Sequence, residues 1–271
     1  MLAALLKYNF LQNAFITAIL SSIVCGVIGT IIVEKKIVSL SGGIAHASFG
    51  GIGLGYLLGI EPLIGGLIFA ILSSLGITTI TRKTNTSNDT LIGIFWSVGM
   101  ALGIFFIALT PGYPPDMTSY LFGDILTVSS FYIKMMFILT LIIVFSIVSM
   151  FNYWRGYLFD EEFLKIIGIK VVGLDYFIYI LISFSIIILI KVVGIILAIA
   201  LLTVPPAIAK FFTYDLKKMM FYSGIIGIIL GMAGLTISYY FNIPSGATII
   251  LLSVVFYFSF WVLYKMKSKK E

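Results

Sequence analysis

AFITAILSSIVCGVIGTIIV, residues 14–33, runs for twenty residues without one charged side chain. At about 1.5 Å of rise per residue, a helix of that length spans the roughly 30 Å hydrocarbon core of a bilayer. Comparable runs recur at about 39–60, 62–81, 90–109, 130–151, 176–191, 194–213, 219–241 and 246–264. Hydrophobic residues make up 61% of the 271 and charged ones 10%, with a mean hydropathy of +1.16. A water-facing surface on a chain this long needs far more charge. The fold class this predicts is all-α: a polytopic integral membrane protein with about nine crossings, forming one transmembrane domain over 1–271.

The charges between these runs alternate in sign of location. Lys35, Lys36, Arg82, Lys83, Arg155, Lys165, Lys170, Lys217, Lys218 and the tail Lys265, Lys267, Lys269 and Lys270 fall in one set of loops, with Lys210 at a helix end. Only Lys7, Lys134 and Lys191 fall on the other side. Because basic loops stay cytoplasmic, the N-terminus is expected outside and the C-terminus inside. The net charge of +6 is then a property of the cytoplasmic face, and nucleic acid is not an expected partner. Cys25, the single cysteine, reads as a small packing residue. The first thirteen residues carry only Lys7 and no small-residue cleavage site, so no cleaved signal peptide is expected.

Three segments depart from plain spanning helices. SLSGGIAHASFGGIGLGYLLG (39–59) holds the only histidine, His46, among seven glycines. An imidazole at membrane depth is costly unless it faces protein, water or a ligand, which makes His46 a pathway candidate. KVVGIILAIALLTVPPAIAK (191–210) carries Pro205 and Pro206 deep in an apolar run. Both lack the N–H a helix uses, so a break is expected there, with the Thr203 hydroxyl near the freed carbonyls. Each half of the chain thus holds one crossing expected to be interrupted, a pattern that marks substrate sites in transporters. The competing reading gives the glycines to helix packing and the prolines to a kink.

NYWRGYLFDEEFLKIIGIKVVGLD (152–175) is the longest hydrophilic stretch and falls on the cytoplasmic side. Asp160, Glu161 and Glu162 open a short helical run whose apolar side is Phe163, Leu164, Ile166 and Ile167, and Gly168 supplies a stop. Its acidic leading face disfavours anionic lipid and favours docking on a cytoplasmic protein. On the outer side, TPGYPPD (110–116) and NIPSG (242–246) are turns. SYLFGDILTVSS (119–130) reads as a short interfacial or re-entrant helix that leaves Asp124 near the surface. Asp89 and Thr90 read as the capped start of a helix. Trp96, Trp154 and Trp261 read as interface anchors, and Lys134 and Lys191 as snorkelling to the interface.

SLSGGIAHASFGG, SNDTLIGIF, SYLFGDIL, FDEEFLKIIGI and VVGIILAIALLTVPPAIA, in that order and spacing, resemble the ABC-3 family of metal permeases, the membrane subunits of zinc- and manganese-type ABC importers. The resemblance covers nearly the whole chain. It implies translocation of Zn²⁺ or Mn²⁺ across the cytoplasmic membrane, a permease homodimer, two ATPase subunits on the cytoplasmic side and an extracytoplasmic metal-binding protein. It makes the cytoplasmic run a coupling helix, with Asp160, Glu161, Phe163 and Gly168 carried over by position and Glu162 beside them. The residues read here as translocation-pathway candidates are His46, also the candidate metal ligand, Asp124, Thr203 and Pro205. No permanently bound cofactor is implied, only the transported ion. The chain has no GxxxxGK[ST] phosphate loop, so ATP hydrolysis belongs to another polypeptide.

One position departs from the family. Its early segment usually reads GDxxxHA, with a carboxylate one helical turn before the histidine, where the two can share a divalent ion. Here Gly42 takes that place. Either the ion's ligands are completed across the dimer axis or by another carboxylate such as Asp124, or the ion passes with little coordination, or the cargo is not a divalent metal. A stand-alone secondary transporter of a small cation or solute is the alternative function, though it calls for mid-span carboxylates that this chain does not show. An intramembrane enzyme needs a nucleophile–base pair or a metal cluster, and one histidine without adjacent acids does not supply it.

Overall fold

A computed structural model describes residues 7–84, 86–112, 118–123 and 125–268. Among these residues the structure is all-helical with no strand. The helices are α1 (Asn9–Glu34), α2 (Val38–Leu58), α3 (Pro62–Lys83), α4 (Asn88–Ala108), α5 (Thr118–Phe122), α6 (Ser130–Ser149), α7 (Phe151–Phe159), α8 (Glu161–Ile166), α9 (Val171–Val193), α10 (Ile195–Ala209), α11 (Leu216–Phe241) and α12 (Ser245–Ser268). A helix occupies each of the nine expected crossings. Seven of them, α1, α3, α4, α6, α9, α11 and α12, are long and apolar enough to cross a membrane. The two that fall short are the unusual ones. In α2 the glycines and serines dilute the hydropathy, and α10 is only 15 residues long.

The chain divides into two compact units, one of residues 1–36, 121–149 and 192–271, the other of 37–120 and 150–191. In the first, α1 is the central element. Its small residues meet α11 so closely that a Cβ on Gly26 would lie 2.7 Å from the Gly224 nitrogen. Against α10, a Cβ on Gly29 would lie 2.3 Å from the Leu202 carbonyl oxygen. Lys210, just past α10, pairs with Glu34 at 2.9 Å.

The second unit is built on α2. A Cβ on Gly51 would lie 2.0 Å from the Gly65 oxygen of α3, and one on Gly53 2.6 Å from the Gly103 oxygen of α4. These glycines let three backbones touch, the arrangement that small residues make possible in membrane helices. The antiparallel pair α3 and α9 is joined by side chains instead. Ser183 donates to Ser74 Oγ at 3.0 Å, the Thr79 and Tyr176 hydroxyls share a hydrogen bond at 2.9 Å, and Arg82 pairs with Asp175.

Both expected interruptions are absent where the composition placed them. The glycine-rich α2 is one continuous helix, because its glycines are taken up by packing. The diproline segment is helical from Ile195 through Ala209. Thr203 donates to the Ile199 carbonyl at 2.9 Å, and the Leu202 carbonyl, which Pro206 leaves without its helical donor, faces Gly29. The break lies earlier, at Gly194, whose φ of 82° and ψ of 162° separate α9 from α10 in a region open essentially to glycine alone. Gly194 packs against Gly123, a second left-handed glycine.

Candidate functional site

Two places in the 37–120/150–191 unit carry chemistry. The first surrounds His46, halfway along α2. Its ring lies flat on the indole of Trp96 from α4, with centroids 4.0 Å apart and planes 8° from parallel, while Phe49 flanks it at 6.3 Å. The stack is possible because α2 and α4 approach at backbone distance: a Cβ on Gly99 would lie 2.3 Å from the Ala47 Cα. The Nδ1 atom of His46 is buried without a hydrogen-bond partner. Trp96, itself 41% exposed, thus forms one wall around the histidine. Among the described residues no three His, Cys, Asp or Glu side chains gather to hold a metal ion.

The second is the α7–α8 corner. Asp160 caps α8, its carboxylate accepting from the Phe163 amide at 2.9 Å. At the other end Gly168, φ 82°, closes a Schellman turn: its own N–H reaches the Lys165 carbonyl and the Ile169 N–H reaches Leu164. Of the apolar residues in the run, only Leu164 turns inward, onto Gly156 of α7. Phe163, Ile166 and Ile167 are exposed, Ile166 at 82%, alongside exposed Glu162 and half-buried Glu161. A six-residue helix with both ends locked thus displays three bulky apolar side chains and two acids.

Beneath it, Trp154 and Tyr157 of α7 are both fully buried. Trp154 stacks on Phe177 of α9 at 5.9 Å and meets the Tyr157 ring edge-on at 6.0 Å. Trp154 is an internal residue and not an interface anchor. The Tyr157 hydroxyl donates to Asp175 Oδ1, whose other oxygen meets Arg82. Burial pushes the Tyr157 phenol pKa up, Tyr179 and Glu161 push it further, and Arg82 opposes them. The phenol therefore stays protonated and donating at neutral pH.

A family model for the ABC 3 transport family matches residues 7–263. The chain belongs to that family. Curated relatives of this ABC 3 permease include an uncharacterised membrane protein of Synechocystis, 39% identical over 93% of this chain and 90% of its own length. The manganese transport system membrane protein MntC of Listeria monocytogenes is 35% identical over 95% and 91%. Among solved structures, PsaBC from Streptococcus pneumoniae in complex with Fab matches with a TM-score of 0.86 and 32% identity, over 96% of this chain and 94% of that one. Family members are permease subunits, transport components rather than enzymes, in a multi-pass membrane location.

Thr203 and Pro205 belong to the unit containing α10, where Pro205 is buried and Thr203 bonds its own helix. Asp124 is outside the described residues. The cap of α4 is Ser87, which accepts from the Thr90 amide at 3.2 Å, while Asp89 in the first turn accepts from Ser39 at 2.8 Å. Sequence reasoning passed over Arg82, Tyr157 and Asp175. One signal was present: an aspartate at the mouth of an apolar run has no reason to be there without a partner.

Proposed function

We propose that this chain is the membrane subunit of an ATP-driven importer of a divalent metal ion, Mn²⁺ or Zn²⁺, with Mn²⁺ favoured because relatives are named as manganese transport and import proteins. Membership in the ABC 3 family takes the place of the stand-alone transporter kept open by the sequence. The observation that carries the reading is the α8 corner. Phe163, Ile166 and Ile167, exposed just after Glu161 and Glu162 on a helix locked at Asp160 and Gly168, form a shape and charge suited to a groove on a cytoplasmic ATPase. The assembly this calls for has two permease copies, two ATPase subunits and an extracytoplasmic metal-binding protein.

The ion's path in this reading runs by His46, where the stacked Trp96 holds the imidazole in one orientation. A single imidazole is a poor sole ligand for Mn²⁺. With Gly42 in place of a carboxylate, the remaining ligands come from water, from backbone carbonyls or from the second permease copy. Thr203 and Pro205 remain pathway candidates for the same assay. The test is uptake of Mn²⁺, Zn²⁺ and Fe²⁺ into proteoliposomes holding the assembled complex. Glu161→Lys with Glu162→Lys should weaken ATPase capture on the permease by about tenfold or more and abolish uptake. His46→Ala should lower uptake of the cargo ion while leaving capture intact. Unchanged capture by the double lysine variant would assign the docking face elsewhere, and unchanged uptake by His46→Ala would make the histidine a packing residue.

A further inference from the structure

We propose that the Asp175 carboxylate is the junction through which movement of the α8 docking helix reaches the helices around His46. The inference rests on the importer reading above and names the residues that would make its coupling work. Contacts run without a gap through one compact unit. Leu164 seats α8 on Gly156 of α7, and the Asp160 N–H donates to the Gly156 carbonyl at 2.8 Å. Helix α7 in turn reaches Asp175 through Tyr157, and α3 reaches it through Arg82. One carboxylate therefore holds three elements together, each of its oxygens committed to a different one. It does so while only 8% exposed, where a carboxylate stripped of a partner is strongly disfavoured.

From Asp175 the same helices carry the link onward. The Thr79–Tyr176 and Ser74–Ser183 pairs continue the join between α3 and α9. Gly65 of α3 then lies in backbone contact with Gly51 of α2, one turn and a residue beyond His46. A chain of packed, hydrogen-bonded groups with no slack is the physical form that coupling between distant sites takes. Asp175, Arg82 and Tyr157 are positioning residues: they touch neither nucleotide nor metal, and their loss should separate hydrolysis from transport instead of stopping both.

The experiment measures metal uptake and ATP hydrolysis in parallel on the reconstituted complex, reading uptake per ATP. Asp175→Asn keeps an acceptor for the Tyr157 hydroxyl and removes the charge that Arg82 needs. It should cut uptake per ATP by about tenfold, within the range of typical coupling between sites, with hydrolysis little changed and a lowered melting temperature from the broken ion pair. The exchange of Arg82→Asp with Asp175→Arg should restore part of the ratio. If Asp175→Asn does not assemble, Tyr157→Phe leaves the ion pair whole and removes only the α7 connection, and the ratio should still fall. Uptake and hydrolysis dropping in step, or an unchanged ratio in Tyr157→Phe, would overturn the proposal. A wild-type complex that captures no ATPase or takes up no metal would instead sink the importer reading, and is seen before any variant is made.

Discussion

Helices α2 and α10 carry opposite departures from a good helix, one too many glycines and the other two consecutive prolines, yet both are continuous. They differ in where the oddity is absorbed. In α2 it is absorbed by neighbours: Gly51 and Gly53 are filled by the backbones of α3 and α4. In α10 the Leu202 carbonyl freed by Pro206 packs on Gly29 of α1, while the Thr203 hydroxyl bonds Ile199, a carbonyl that the prolines do not free. The chain breaks instead at Gly194, ahead of α10 and outside either helix. An unusual residue thus identifies a special place in a membrane helix without saying whether the special feature is a gap, a contact or a hinge.

Gly51 is where α2 should be least able to accept a side chain. Gly51→Val puts a side chain where a carbonyl already stands at 2.0 Å from the first added carbon. The cost should reach or pass the ~3 kcal/mol end of overpacking penalties, seen as loss of monodisperse protein on size-exclusion chromatography in detergent. Gly194→Ala should come next, at about 2–3 kcal/mol, since its φ of 82° with ψ of 162° is a glycine-only conformation. A lower melting midpoint with normal yield is the expected result, and an unchanged midpoint would show that the α9–α10 break does not depend on a glycine. Thr203→Val keeps the shape and deletes the hydroxyl, for a loss of about 0.6 kcal/mol, typical of membrane side-chain hydrogen bonds. Gly93→Ala should be the smallest and of opposite sign. Nothing lies within 4 Å of the added carbon, so a gain of about 0.5–1 kcal/mol from helix propensity is expected as a slightly raised midpoint.

What the sequence made legible was local. Asp160 followed by Glu161 and Glu162 and closed by Gly168 obeys capping rules that need only neighbouring residues, and the helix formed with those ends. Hydropathy placed helices at all nine runs, although α9 starts at Val171, ahead of the run that begins near 176, because Asp175 is tolerated inside it once Arg82 is at hand. What was not legible depended on pairs far apart in the chain. Trp154 looks like an interface aromatic until Phe177 is placed on its face, and the stack of Trp96 on His46 joins residues fifty positions apart. Phe163, Ile166 and Ile167 have the spacing of an inward face, and only the seating of Leu164 on Gly156 shows that the other three point away.

The flat stack of His46 on Trp96 has a consequence for how this protein can be watched. An indole emits according to what lies against its ring, and a charged imidazole quenches it more than a neutral one. With Trp154 and Trp261 replaced by phenylalanine, the intrinsic fluorescence of Trp96 becomes an optical gauge of the imidazole 4.0 Å away. Protonation, ion arrival or separation of α2 from α4 would each be read as a change in brightness, with no label attached.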